Sequence, residues 1–153
     1  MSSKVPQKLN DRLGIAMAKR AYKAYLGLLS SPRWMRAYNA GARAQRLLWA
    51  STGTKDPKAS DVLYIKSLAA PFTVNTMPES ALRAFADHGD VGPALPVDGG
   101  DSEHELALFA REKVDVHVLA NQLQEEGARS FVKSWNELMS VIDSKTAMLK
   151  RAS

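Results

Sequence analysis

A short apolar stretch that changes abruptly into polar residues is the part of the sequence best suited to chemistry. Leu47-Leu48-Trp49-Ala50 is followed directly by Ser51-Thr52-Gly53-Thr54-Lys55. The first four residues are typical of a strand buried on both faces. Gly53 can adopt backbone angles closed to other residues, and Pro57 prevents a paired central strand from continuing. Hydroxyl groups and one ammonium at the carboxyl end of a parallel strand suit a phosphate or another anion. An ordinary strand followed by a polar loop fits the same residues.

A second short strand ends in polar residues of the same kind. Residues 72–76 form a short segment rich in β-branched residues, with Asn75 and Thr76 at its carboxyl end. If the two strands are parallel neighbours, their carboxyl ends meet at one edge of the sheet. We therefore predict that Ser51 and Asn75 lie on the same rim, with Lys55 close by.

Predicted helices surround the two strands. The pattern predicts helices over residues 11–29, 31–41, 60–68 and 80–88, a loop over 90–101, and three closing helices that begin at Ser102, at Asp115 and shortly after Gly127. Asn10 or Asp11, Ser31, Thr76 and Ser102 are the expected amino-terminal caps. Strands that alternate with helices indicate an α/β protein with a parallel sheet, and we expect one domain over residues 1–153.

Composition and charge exclude some classes of protein. The chain has 153 residues, 45% of them apolar, and no cysteine, so disulfides and cysteine-based metal sites are excluded. No apolar run approaches a membrane span, and we expect a cytoplasmic protein without membrane contact. Residues 1–46 hold ten Lys or Arg and one acid. Such a basic half fits nucleic acid binding, but it also fits solvated helix faces, which we favour because no basic motif interleaved with aromatic residues is present.

Other reactive side chains lack the spacing of a known site. His88, His104 and His117 do not form a metal-ligand pattern, and Asp98 with Asp101 lacks the spacing of a calcium loop. Ser51 has no His or Asp partner visible in the sequence. There is no Gly-x-x-x-x-Gly-Lys-Ser/Thr pattern either. We predict no metal, no cofactor and no catalytic residue in this chain.

Several long, ordered motifs resemble transaldolase of the longer bacterial subfamily. The resemblance covers residues 12–142 and is carried by Gly41-Ala42-Arg43, Gln45-Arg46-Leu47-Leu48-Trp49-Ala50-Ser51-Thr52-Gly53-Thr54-Lys55-Asp56-Pro57, Ser60-Asp61-Val62-Leu63-Tyr64, Thr73-Val74-Asn75-Thr76-Met77-Pro78, Ala84-Phe85-Ala86-Asp87-His88-Gly89, Leu123-Gln124-Glu125-Glu126-Gly127 and Phe131-Val132-Lys133-Ser134-Trp135.

The resemblance implies part of a (β/α)8 barrel. Leu47 would begin the seventh strand and Phe72 the eighth. Residues 1–89 would form the last barrel units, 90–101 a loop and 102–150 the closing helices. The family is a transferase of the pentose phosphate pathway, in carbohydrate metabolism. It moves a dihydroxyacetone unit between sugar phosphates through a Schiff base on a lysine of the fourth strand. That lysine and the proton-transfer carboxylates would lie upstream of Met1.

The resemblance also implies substrate-binding residues. Ser51, Thr52, Lys55 and Asn75 would hold the phosphate end of a sugar phosphate, and Lys4 would do so at the end of the sixth strand. We expect the chain alone to be inactive and to associate with a complementary barrel piece or with itself. The alternatives are a non-catalytic structural partner of such a piece and a basic binding module; we expect no nucleic acid partner.

Overall fold

The computed structural model describes the backbone of residues 5–152 and the side chains of residues 5–150. Within that range the elements are a 3-10 turn (Gln7–Leu9), α1 (Arg12–Leu29), α2 (Pro32–Asn39), β1 (Leu47–Ala50), α3 (Leu63–Ser67), β2 (Thr73–Thr76), α4 (Glu79–His88), α5 (Ser102–Arg111) and α6 (Val116–Ala152). The chain divides into two compact units, one ending at Glu112 and one beginning at Lys113. One domain over residues 1–153 stays a prediction.

The two strands pair in parallel, as the sequence predicts. Leu47 lies opposite Thr73, and the register continues to Ala50 opposite Thr76. A parallel pair needs a crossover connection of a dozen or more residues. Residues 51–72, which include α3, provide that crossover. The expected mainly helical fold with two short parallel strands is therefore confirmed for the described residues.

The two faces of the sheet have different surroundings. Trp49 is 8% exposed and belongs to a core with Ala18, Tyr22, Leu68 and Leu95. Leu48 points to the other face, because successive side chains in a strand alternate, and it is 49% exposed. The expectation that this strand is buried on both faces was therefore wrong. The apolar sequence suits two covered faces, but the described residues cover the Trp49 face far more completely.

Cations of α1 pair with acids at the start of α5. The ion pairs join Arg12 to Glu105 at 2.7 Å, Lys19 to Asp101 at 2.6 Å and Arg20 to Glu103 at 2.6 Å. The hydrogen bond from Lys19 lowers the pKa of Asp101, and the one from Arg20 lowers the pKa of Glu103. Acids in the first turn of α5 also suit the positive end of its helix dipole. Part of the basic charge of the first half is thus used to fasten two helices together.

Of the four helix caps predicted from the sequence, one forms and three do not. The Ser31 hydroxyl accepts a hydrogen bond from the Trp34 amide at 3.2 Å, with Pro32 in the first turn, as expected. Asp11 precedes α1 but makes no side-chain cap, and its φ is 59°. The capping boxes expected at Thr76 and Ser102 do not form, because α4 starts after Pro78 and α5 after Asp101.

The last two predicted helices are one helix. α6 runs for 37 residues and includes Gly127, which was expected to end a helix. A glycine inside a helix costs about 1 kcal/mol relative to alanine, which many helical neighbours can offset. The expected apolar stripe is present on α6 but exposed, with Phe131 at 82% and Trp135 at 62%. No helix in the described part of the chain is both long and apolar enough to cross a membrane.

A surface histidine links the loop before α3 to the end of α4. The His88 Nε2 lies 3.0 Å from the Asp61 carboxylate, and its Nδ1 lies 3.3 Å from that of Asp87. Hydrogen bonding to Asp61 and then to Asp87 raises the pKa of His88 above 6.5. Hydrogen bonding to His88 lowers the pKa of Asp61. The link therefore stabilises the fold above the unfolded pKa of Asp61 and weakens as pH rises through the folded pKa of His88.

We predict that the His88 ring titrates above pH 6.5 in the folded chain. Asp61→Asn should lower its pKa more than Asp87→Asn does, because Asp61 makes the shorter hydrogen bond and the larger contribution. Following the His88 ring proton by NMR across the pH range measures both values. A His88 pKa that neither substitution moves would show that the ring does not form these contacts in solution.

Candidate functional site

The loop that follows β1 begins with an unusual backbone. Ser51 has a φ of 57°, in the left-handed region, and its side chain is exposed. Residues other than glycine rarely adopt this conformation, and such outliers concentrate at binding and active sites. The sequence suggested Gly53 as the residue with unusual angles, but the positive φ belongs to Ser51. Gly53 instead allows a close approach to Pro78, because an added Cβ would lie 3.0 Å from Cγ of Pro78.

A hydrogen bond between side chains joins the two polar loops. Thr52 is 3% exposed, and its hydroxyl donates to Oδ1 of Asn75 at 2.6 Å. The backbone carbonyl of Thr76 is a second acceptor at 3.5 Å. In turn, the Thr76 hydroxyl donates to the Trp49 carbonyl at 3.3 Å. The residues that end the two strands are therefore tied together at one edge of the sheet.

The Thr52 bond orients the Asn75 amide. An amide side chain has one oxygen acceptor and two N–H donors. With Oδ1 bonded to Thr52, the N–H donors of Asn75 remain for another acceptor. Thr52 was predicted to bind substrate directly, but its hydroxyl is buried and used inside the protein. No spacing within either strand shows this pairing, because it depends on the register between strands.

Lys55 is the cation of the same loop. Its side chain is exposed and forms no ion pair with any residue in the described part of the chain. The next carboxylate, Asp56, accepts a hydrogen bond from the Lys58 amide at 2.8 Å and so stabilises the turn.

Lys4, the remaining predicted binding residue, lies outside the described residues. Within residues 5–152, no three His, Cys, Asp or Glu side chains are grouped to hold a metal ion.

The arrangement can bind an acceptor-rich anion. Ser51 follows β1 at the edge where Asn75 and Thr76 end β2, and Lys55 is four residues further along the same loop. Hydroxyl and amide donors near an ammonium group are chemically suited to phosphate oxygens. The carboxyl-end rim of a parallel sheet is also where α/β proteins commonly bind ligands.

Comparison with known proteins identifies the family of this chain. The family described as Transaldolase/Fructose-6-phosphate aldolase matches residues 1–142. The chain belongs to this family. The resemblance seen in the strand-end motifs is therefore confirmed, and family membership implies a TIM-barrel architecture to which the parallel strands β1 and β2 conform.

Individual transaldolases show how much of the protein these residues represent. The transaldolase of Parafrankia sp. (strain EAN1pec) is 46% identical over 137 residues, which are 89% of this chain and 37% of the relative. That of Thermobifida fusca (strain YX) is 46% identical over 133 residues, 86% of this chain and 36% of the relative. The transaldolase of Neisseria meningitidis (strain FAM18) is 37% identical over 139 residues, 91% and 40% respectively. The chain thus spans little more than a third of the length of these transaldolases.

We predict that Thr52→Val destabilises the chain by about 0.5–1.5 kcal/mol, the usual net worth of a hydrogen bond. Valine keeps the shape of threonine but cannot donate to Asn75. Thr76→Val is the matched control, because Thr76 is an exposed residue whose hydroxyl makes a longer hydrogen bond, of 3.3 Å, and should matter less. Urea denaturation at one protein concentration gives both values. Equal stability of Thr52→Val and the unchanged chain would contradict a structural role for the Thr52–Asn75 bond.

Proposed function

We propose that these 153 residues form the part of a transaldolase barrel that holds the phosphate end of a sugar phosphate. The observation that carries the proposal is the Thr52–Asn75 hydrogen bond of 2.6 Å, made where two parallel strands end. It fixes a donor group beside the loop that contains Ser51 and Lys55. Family membership supports sugar phosphates as the ligand class.

Each residue has a separate part in the proposed site. Lys55 supplies the positive charge, and the hydroxyl of Ser51 and the amide of Asn75 donate hydrogen bonds to phosphate oxygens. Thr52 positions Asn75 through the buried bond and does not touch the ligand. Lys4 adds a second cation in the proposal. Lysine binds phosphate as a point charge, without the two-pronged geometry of arginine.

The proposed reaction is the transfer of a dihydroxyacetone unit between sugar phosphates in the cytoplasmic pentose phosphate pathway. The covalent step requires an amine that forms an imine with the ketose, because the imine accepts the electrons of the broken carbon–carbon bond. The resemblance places the transaldolase Schiff-base lysine on the fourth barrel strand, whereas β1 and β2 would be the seventh and eighth strands. We therefore assign no catalytic residue to these 153 residues, and expect no turnover from them alone.

A hybrid enzyme tests the phosphate site. In this hybrid, the segment of the Parafrankia transaldolase that aligns with this chain over 137 residues is replaced by the residues of this chain. The rest of the Parafrankia protein is kept. We predict that the hybrid is active and that Lys55→Met raises KM for fructose 6-phosphate about tenfold or more, as expected for losing a charged hydrogen bond. A coupled assay of sugar phosphate transfer measures kcat and KM.

Lys58 is the matched control for Lys55. It is an exposed lysine of the same loop, so Lys58→Met removes the same charge nearby and should leave KM unchanged. Equal effects of the two substitutions would point to a diffuse charge effect and would contradict a specific role for Lys55. Turnover by the isolated chain that follows it through purification would refute the assignment of the covalent step to other residues.

A second candidate function is that of a structural partner for complementary barrel strands. The observation that favours it is the open face of the sheet, where Leu48 is 49% exposed; Phe72, just before β2, is 72% exposed. The sheet has two strands in the described residues, so each strand has one unpaired edge there. Edges and apolar side chains of this kind favour pairing with further strands.

We predict that the isolated chain self-associates and that co-expression with the rest of the Parafrankia transaldolase gives a one-to-one complex instead. Burying a leucine side chain contributes about 1.5–3 kcal/mol, which favours both contacts over exposure. Size-exclusion chromatography with light scattering measures the masses. Leu48→Lys should weaken both associations, whereas Leu82→Lys, also exposed but on α4, serves as the control. A compact, cooperative monomer that ignores the partner segment would refute the prediction.

A further inference from the structure

One face of the long helix α6 is apolar and exposed to solvent. The exposed large side chains in the middle of the helix include Phe131, Trp135, Leu138 and Ile142. At 100° per residue these four side chains lie within about 60° of one another, whereas Ser140 lies on the opposite side. A helix normally buries such a face, and a contiguous exposed apolar surface marks an interaction site.

The spacing of this face indicates that its partner is another helix. Steps of four, three and four residues lead from Phe131 through Trp135 and Leu138 to Ile142. This alternation is the heptad spacing with which helices pack along one another. The same spacing continues to residue 128 on one side and to residue 145 on the other, so the face extends for about 25 Å along α6.

The two ends of α6 differ in charge. Residues 116–128 contain two acids, Glu125 and Glu126, and no Lys or Arg. Residues 144–153 contain three cations, Lys145, Lys150 and Arg151, and no acid. Lys145 and Lys150 form no ion pair with any residue that the structure describes. Two copies of α6 that run in opposite directions bring each basic end to an acidic end.

We infer that this face binds the same face of a second copy of the chain, with the two α6 helices antiparallel. Heptad packing in that direction sets Trp135 against Leu138 of the second copy. It also sets Phe131 against Ile142 of the second copy. Each large side chain of the face thus meets a large apolar side chain, and the polar side of both helices stays in water.

The charges beside the face favour the antiparallel direction. In that register Lys145 lies over the small side chain of Ala128 of the second copy, whereas parallel helices would set Lys145 against Lys145, a costly contact of like charges. Glu125 and Lys150 lie along the same edge of the face, and antiparallel copies bring them within about one helical turn of each other. Within α6, Glu125 pairs with Arg129 at 3.9 Å, and both side chains are exposed. Such a pair is weak, so Glu125 can turn to the second copy.

The face is large enough for a specific contact. Four aromatic side chains, Phe131 and Trp135 from each copy, bury on the order of 500 Å² there. Specific interfaces begin at about 1,200 Å² in total. Exposed aliphatic side chains on and beside the face supply much of the remainder: Val132, Leu138, Met139, Val141 and Ile142.

Sedimentation equilibrium of the full chain with Leu48→Lys tests this contact. Leu48 lies on β1, so this substitution weakens association through the sheet and leaves α6 unchanged. We expect the Leu48→Lys chain to form a dimer. Adding Leu138→Lys should weaken that dimer about tenfold or more, because each copy loses a buried leucine. Ser140→Lys, exposed on the opposite side of α6, is the matched control and should have no effect.

Two results of this measurement would overturn the inference. One is a Leu48→Lys chain that is monomeric at every concentration. The other is an equal effect of Leu138→Lys and Ser140→Lys. Circular dichroism of each variant shows whether the helices are retained, so that a loss of association is not mistaken for unfolding. The inference concerns a different surface from the proposed phosphate site and does not depend on the proposed function.

Reversing two charges tests the direction of the helices in the same Leu48→Lys chain. Glu125→Lys and Lys150→Glu should each weaken the dimer about fivefold at low salt, because each ion pair occurs twice. The two substitutions together should restore it. In parallel helices each residue faces its own copy, so none of the three variants would change the dimer, and that result would overturn the antiparallel arrangement. Failure of the double variant to restore the dimer would also overturn it. Variants of α6 that weaken only the complex with the rest of the Parafrankia transaldolase would assign the face to that partner instead of a second copy.

Discussion

The parallel backbone ladder between Leu47–Ala50 and Thr73–Thr76 is the interaction on which the remaining features depend. Four residue pairs form a marginal sheet by themselves, so the register must be held by side chains. Trp49 does this by packing with Tyr22 and Leu68 on one face. A slip of one residue would turn Trp49 to the open face and separate Thr52 from Asn75. The arrangement of polar residues at the rim therefore depends on the register of the ladder.

The alternation of strand and helix was enough to predict this ladder from the sequence. β-Branched and apolar runs, each followed by polar residues and a helical pattern, have few arrangements other than adjacent parallel strands. Ser31 with Pro32 also gave a correct helix start, because a capping hydroxyl and a fixed proline φ act locally. Features that depend on short-range chemistry or on topology were thus accessible without coordinates.

Features that depend on contacts between distant segments could not be predicted from the sequence. The Thr52 hydroxyl could face a ligand or a neighbour, and the register, not the sequence around Thr52, decides that it bonds Asn75. The exposure of Leu48 follows from what covers it, which its own sequence cannot show. Gly127 resembles a helix end locally, yet helical residues on both sides continue α6 through it. The left-handed backbone of Ser51 had no sequence signal, since glycine is the residue that favours it.

Exposure also limits what the proposed phosphate site can do by itself. Two unit charges 4 Å apart attract by about 1 kcal/mol in water and by about 4 kcal/mol at an effective dielectric constant of 20. Lys55 and Ser51 are both exposed here, which places their attraction for a phosphate near the lower figure. Barrel enzymes collect site residues from the ends of several strands, and each added strand removes water from the rim. The same closure that would cover Leu48 would therefore strengthen binding by Lys55, so in the proposed function the stability of the chain and its affinity for the ligand depend on one event.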